Sequence, residues 1–387
     1  MQASSPKGKT RKRRTPPGRV SPARIKQAAR VAIEDVLRVR KGERVVIVTN
    51  PDRDVRTLSD ALYEASTARG ADTVIVVQPR RTSLDQASDA VIHALRSGPD
   101  VVISMSAEKL GKDRFGLEKP YRFKGHKGSW THIFNALKET GRARAFWSPS
   151  TNLDMFARTV PVDYAWMRRT ARKLKRALDA ADRVQILAPG GTDIEIGVRG
   201  RKALPDDGAF WKPGSGGNLP AGETYISPAN YDAEGLLVFD GSLAVADGGG
   251  AFVPRKPVAC HVSGGRVTEV RGGAGARRFE KSLRLGEAAA RKMRGKPGWN
   301  ERKVAAYERN ARHLGEIGIG LNPAARVTGN MLEDEKILGT CHIAIGANYD
   351  NDAEAFTHLD CVIQSPTIIT ISPRGRLKMI MEAGKIL

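Results

Sequence analysis

The chain has 387 residues, longer than the roughly 250 to 300 at which one hydrophobic core usually divides, so two domains are expected. Apolar residues make up 40% and charged residues 27%, the balance of a globular protein rather than a disordered or fibrous one. The formal charge of +22 invites a nucleic-acid reading, but its distribution argues against one for the body of the chain.

Residues 1–30 carry ten Lys or Arg and no acid, nearly half of the excess. The run Lys9-Thr10-Arg11-Lys12-Arg13-Arg14, followed by Pro16 and Pro17, reads as a disordered basic tail over residues 1–21. Its expected role is a solvated extension with weak polyanion contact through counterion release. Met1 to Val20 has no apolar core of a secretory signal, and no apolar run reaches the roughly 18 to 20 residues of a membrane span. A cytoplasmic protein with no membrane contact is therefore expected.

From residue 22 helical and strand patterns alternate. A helix starts at Ser21-Pro22 and runs to about Val39, and Arg44 to Val48 is a β-branched strand. The unit repeats with helix Asp54 to Arg69, strand Asp72 to Val77, helix Ser83 to Arg96 and strand Asp100 to Ser104. Helix His132 to Glu139 and strand Ala143 to Trp147 complete it. Continuous apolar strands between helices predict a Rossmann-like α/β domain over 22–181, a doubly wound parallel sheet. No GxGxxG follows the first strand, so a dinucleotide site is unsupported. Lys109 to Gly128 reads as a long surface loop. The basic cluster Arg168, Arg169, Arg172, Lys173, Lys175 and Arg176 falls on one solvated face of a helix, Val162 to Ala181.

Beyond a boundary near 180 the texture changes to short strands between Gly, Asp and Pro turns: Val184 to Leu187, Asp193 to Val198, Gly235 to Phe239, Val258 to His261 and Arg266 to Val270. Helical patterns return at Ser282 to Arg294 and Glu301 to His313, and Val362 to Gln364, Thr367 to Ile371 and Leu377 to Ile380 read as closing strands. An α+β domain over 182–387 is expected. Cys260, Cys341 and Cys361 are odd in number and lack CxxC spacing, so reduced, mostly buried thiols are expected.

Metal-ligating residue types concentrate in this second region. In Thr357-His358-Leu359-Asp360-Cys361-Val362 strand alternation puts His358 and Asp360 on one face, where imidazole and carboxylate can ligate one ion. His342 sits among apolar residues of Gly339 to Gly346 and needs a partner, which an ion or a backbone hydrogen bond would each provide. Glu316, in the apolar strand Leu314 to Gly320, needs a metal, a cation or a donor. Glu223, after the turn Pro220-Ala221-Gly222, would by default face solvent.

Taken in order, Asn218-x-Pro220-x-Gly222-Glu223, Leu314-Gly315-Glu316, Cys341-His342-Ile343-Ala344-Ile345-Gly346-x-x-Tyr349 and His358-x-Asp360 resemble the metallo-aminopeptidases typified by aminopeptidase T and aminopeptidase S. The resemblance covers residues 183–387. It implies two divalent ions (zinc, cobalt or manganese, with magnesium possible) held by Glu223, Glu316, His342, His358 and Asp360. Tyr349 becomes a further ligand or catalytic phenol, and Glu316 or Glu223 a proton shuttle. Peptides would be the substrates, hydrolysed from the N-terminus in a cleft between domains, and a homodimer is implied. The run Glu333-Asp334-Glu335-Lys336 departs from the usual Asp-Glu-Asn-Ala. The same superfamily contains a mononuclear iron dioxygenase that cleaves dihydroxypyridine, the alternative function.

Overall fold

The computed structural model describes residues 20–82 and 85–387. Residues 1–19 of the expected basic tail and the first residues of the helix expected from Ser83 lie outside them. Ser21 caps the first helix, Pro22–Val31, which continues as a wider turn, Ala32–Val36.

Five parallel strands form the first sheet, in the order Asp72–Val77, Arg44–Thr49, Val101–Met105, Arg144–Trp147, Gly216–Asn218. Strand alternation loads both faces. Val45 and Ile47 join a core cluster with Leu58 and Leu62 of helix Arg53–Ala68. Val46 and Val48 join a second cluster with Val91, Ile92 and Leu95 of helix Asp89–Arg96 and Ile133 of helix Ile133–Glu139. That is the doubly wound arrangement expected from continuous apolar strands.

Two antiparallel sheets make up the rest. One has eight strands and pairs Arg183–Leu187 with Thr367–Ile371 near its middle. The other has seven strands, in the order Ala251–Phe252, Leu243–Ala244, His358–Gln364, Thr340–Gly346, Leu314–Gly320, Glu223–Ile226, Leu204–Asp206. The fold is therefore α/β followed by α+β, as the sequence pattern implies.

Several boundaries differ from the pattern. The helix expected from Ser282 begins at Gly273, because Gly273 and Gly275 interrupt the apolar periodicity that would mark its start. The segment Lys109 to Gly128 contains a turn of helix, Arg114–Glu118, capped by Asp113, and is anchored by backbone pairing of Tyr121 with Trp130. Gly216–Asn218, beyond the expected boundary, supplies the fifth strand of the first sheet. Only residues 219–222 separate that strand from the Glu223 strand of the seven-stranded sheet. The three cysteines are buried and unpaired. No helix among the described residues is long and apolar enough to cross a membrane.

Candidate metal centre

Register brings the candidate residues together. In the seven-stranded sheet Glu316 and Asp360 both lie opposite Ala344, His358 opposite Gly346, His342 opposite Gly318, and Glu223 opposite Gly320. Opposed residues share a face, so four strands aim these side chains into one space lined by small residues. Gly318 makes room directly: a β-carbon there would stand 2.1 Å from Cε1 and Nε2 of His342, so the imidazole lies across the glycine.

Two groups of donors result, each with its ligand atoms within 4.8 Å of one another: Glu223, Glu316 and His342, and Glu316, His358 and Asp360. Glu316 belongs to both. His342 Nε2 is 3.1 Å from Glu316 Oε1 and 3.5 Å from Glu223 Oε2. His358 Nε2 is 3.2 Å from Asp360 Oδ1 and 3.5 Å from Glu316 Oε2.

The second ring nitrogens fix the tautomers. His342 Nδ1 lies 3.1 Å from the Glu335 carbonyl, and His358 Nδ1 2.8 Å from the Ala347 carbonyl. A carbonyl only accepts, so each Nδ1 carries a proton and donates. The Nε2 atoms then face carboxylate oxygens, an acceptor against an acceptor unless a proton or a metal ion lies between. Glu223 Oε2 and Glu316 Oε2 are buried and make no hydrogen bond. The donor set therefore fits a divalent cation, and its mixture of imidazole and carboxylate suits zinc, cobalt or manganese.

The electrostatics agree. Burial would lower the His342 pKa, but the hydrogen bond to Glu316 and the charges of Glu223, Glu316 and Asp360 raise it to about 9. Burial likewise opposes a charge on His358, yet Asp360 and Glu316 hold its imidazolium well above the usual range. Burial pushes the Glu223 carboxyl up to about 8 against the pull of Lys336. Asp360 is lowered: burial acts the other way and is outweighed by His358.

Glu223 is buried, at 6% exposure, which corrects the expectation of a solvent-facing residue. The connection through Pro220 and Gly222 leads from the parallel sheet into the antiparallel one, where Glu223 turns toward Lys336 and His342. Tyr349 lines the cleft beside the cluster. It is 54% exposed, packs its ring 5.1 Å from those of His358 and Tyr225, and its phenol is raised by burial and by the charges of Glu316 and Asp360.

Glu335, Lys336 and Asp206 were not singled out by the sequence. Each member of the run Glu333-Asp334-Glu335-Lys336 has its own partner. Glu333 pairs with Arg158 at 2.7 Å. Asp334 accepts from the Thr328 and Gly329 amides and from Ser242. Lys336, fully buried, reaches Glu223, Glu335 and Asp206. Only the departure of this run from the resembled family hinted at it.

A cleft of about 990 Å³ opens onto the cluster. Ser104, Ser106, Trp147 and Asn218 at the carboxyl ends of the parallel strands line one side, the usual ligand position in open α/β sheets. Glu335, Tyr349, His358 and Asp360 line the other, and Lys109, Lys112 and Lys138 border it. A smaller hollow of about 660 Å³ beside Arg176 and Leu377 contains none of the donors.

A profile of the NicX family, described as 2,5-dihydroxypyridine 5,6-dioxygenase, matches residues 130–345, more than half of the sequence. The chain belongs to the NicX family. The matched span contains Glu223, Glu316 and His342 and ends before Tyr349, His358 and Asp360. Solved structures similar to this NicX-family chain include a 2,5-dihydroxypyridine dioxygenase from Pseudomonas putida, at 18% identity and TM-score 0.69, covering 95% of this chain and 98% of that one. AmpT from Thermus thermophilus, an aminopeptidase T, matches at 17% identity and TM-score 0.62, covering 94% and 99%. At such identities the likeness is one of fold. No curated protein matches the sequence.

Proposed function

We propose that this NicX-family protein is a metal-dependent hydrolase of the aminopeptidase type, holding two divalent ions in donor groups that share Glu316. The observation that carries this reading is the sharing itself: Glu223, Glu316 and His342 on one side, Glu316, His358 and Asp360 on the other. A bridging carboxylate between two one-histidine groups is suited to a pair of ions. When bound, such a pair supplies hydroxide near neutral pH and polarises a scissile carbonyl.

The chain's own residues do the rest. The Glu335 and Ala347 carbonyls hold both imidazoles with Nε2 turned into the cluster. For proton transfer, Glu335 is better placed than Glu316 or Glu223. It lines the cleft and they do not, and burial raises its carboxyl, although Lys336 opposes this. A carboxyl tuned upward beside the substrate suits general acid and base work. Phe134 and Trp147 give the cleft an apolar wall for a side chain of the substrate.

The test is metal-free protein reloaded with zinc, cobalt or manganese and assayed on aminoacyl p-nitroanilides and short peptides. Amide cleavage lost in Glu335→Gln, with metal content unchanged, supports the reading. No cleavage with any of the ions overturns it.

The NicX family match favours a second reading, a mononuclear Fe(II) ring-cleaving dioxygenase. Such enzymes favour two histidines and one carboxylate with open positions, which here would mean His342, His358 and Asp360. Each donor group instead offers one histidine and two carboxylates, so this reading takes second place. Oxygen uptake by the Fe(II)-loaded protein with 2,5-dihydroxypyridine would reverse the order.

A further inference from the structure

We propose that Lys336 is a built-in counter-cation that makes the two ion positions unequal. The Glu316, His358 and Asp360 position fills first, and the Glu223, Glu316 and His342 position fills only weakly. The inference rests on reading the cluster as an ion site, but not on which reaction it performs.

The argument begins with burial. Lys336 has 0% side-chain exposure and meets three carboxylates: Glu223, Glu335 at 2.8 Å and Asp206 at 3.5 Å. An ammonium has three N–H groups and no acceptor; it hydrogen-bonds Glu223 and forms ion pairs with the other two. Glu223 gives Oε1 to the ammonium and keeps only Oε2 for an ion. An ion held there would share Glu223 with a buried positive charge, where repulsion is less screened than at the surface. Lys336 acts on Asp360 only from a distance, behind His358 and His342, and makes no ion pair with either Asp360 or His358. Asp360 Oδ1 pairs with His358, and both residues face the cleft, through which an ion can arrive hydrated.

Lys336 is also held from behind. Ile337 and Leu338 follow it, and the Asn322 amide donates to the Lys336 carbonyl at 2.8 Å. The Asp334 carboxylate anchors the preceding turn. The ammonium is thus positioned by its backbone and cannot withdraw to solvent when an ion approaches.

The experiment is zinc binding to full-length, metal-stripped protein, followed by calorimetry and by elemental analysis after gel filtration. Wild type is expected to bind in two steps at least tenfold apart and to retain one zinc per chain. Lys336→Met, checked for folding by circular dichroism, is expected to tighten the weak step at least tenfold and retain two. Lys336→Gln keeps a hydrogen-bonding head without the charge and serves if the Met variant does not fold. Lys336→Arg, still a cation, is expected to retain one. Equal steps in wild type, or a weak step unchanged in both neutral variants, would overturn the proposal. Unequal filling without amide cleavage leaves it standing and removes only the hydrolase reading.

Discussion

The donor cluster has two halves built on different terms. His358 and Asp360 are partly exposed, line the cleft and pair with each other, whereas Glu223 and Lys336 are buried against each other and do not line it. The first half can exchange its partner for an ion or a substrate atom at little cost, because water can enter in the interval. The second cannot change partners without leaving a charge stranded in a dry place. The difference teaches that a cluster of ligand-type residues need not be uniform: the half open to solvent does the exchange, and the sealed half sets the charge against which it works.

The largest expected effect tests the sealed half. Lys336→Met in metal-free protein should lose about 3 to 5 kcal/mol of stability in urea unfolding, the usual cost of removing one partner from a buried ion pair. A loss below about 1 kcal/mol would mean that the half is not sealed. His358→Ala tests the open half: amide cleavage should fall roughly 100-fold or more, as direct ligands exceed the 10- to 100-fold effects of their outer partners, while urea stability falls less than in Lys336→Met because water can reach the carboxylates left behind. Gly318→Ala strikes between them. Its methyl group must displace the His342 ring, at about 1 to 3 kcal/mol for overpacking, and zinc affinity should drop with it.

A smaller effect concerns pH. His342 is raised to about 9 from an ordinary 6.5 in the folded, metal-free protein. The stability this contributes is complete below pH 6.5 and is lost as pH rises through 9. Urea titrations should therefore show falling stability across that window, and added zinc, which takes neutral imidazole, should flatten it. A slope of the opposite sign would contradict the ion pairing described for His342. Least of all, Lys112→Ala at the exposed cleft border should change stability by no more than about 0.5 kcal/mol and leave zinc binding untouched, with any effect confined to KM.

The open half was the more legible in the sequence. Alternation alone put His358 and Asp360 on one face, and an acid in the apolar strand around Glu316 had to find a partner. The parallel sheet was equally readable, since its apolar strands and amphipathic helices repeat with local periods. The sealed half depends on contacts that no local period reports. Glu223 looks exposed until the strand before it is seen to belong to a different sheet. Lys336 sits in a run of charges whose burial no local pattern reports, and its partners Asp206 and Glu223 are more than 100 residues away. The helix Leu153–Thr159 and the strand Leu204–Asp206 were too short to show a pattern.

The four residues between Asn218 and Glu223 carry a last consequence. Asn218 is hydrogen-bonded into the parallel sheet through the Trp147 carbonyl, and Glu223 is paired into the antiparallel one. So short a tether, at most about 3.6 Å per residue, couples the two sheets mechanically at this point. The sheets cannot separate here without pulling a carboxylate out of register with Glu316.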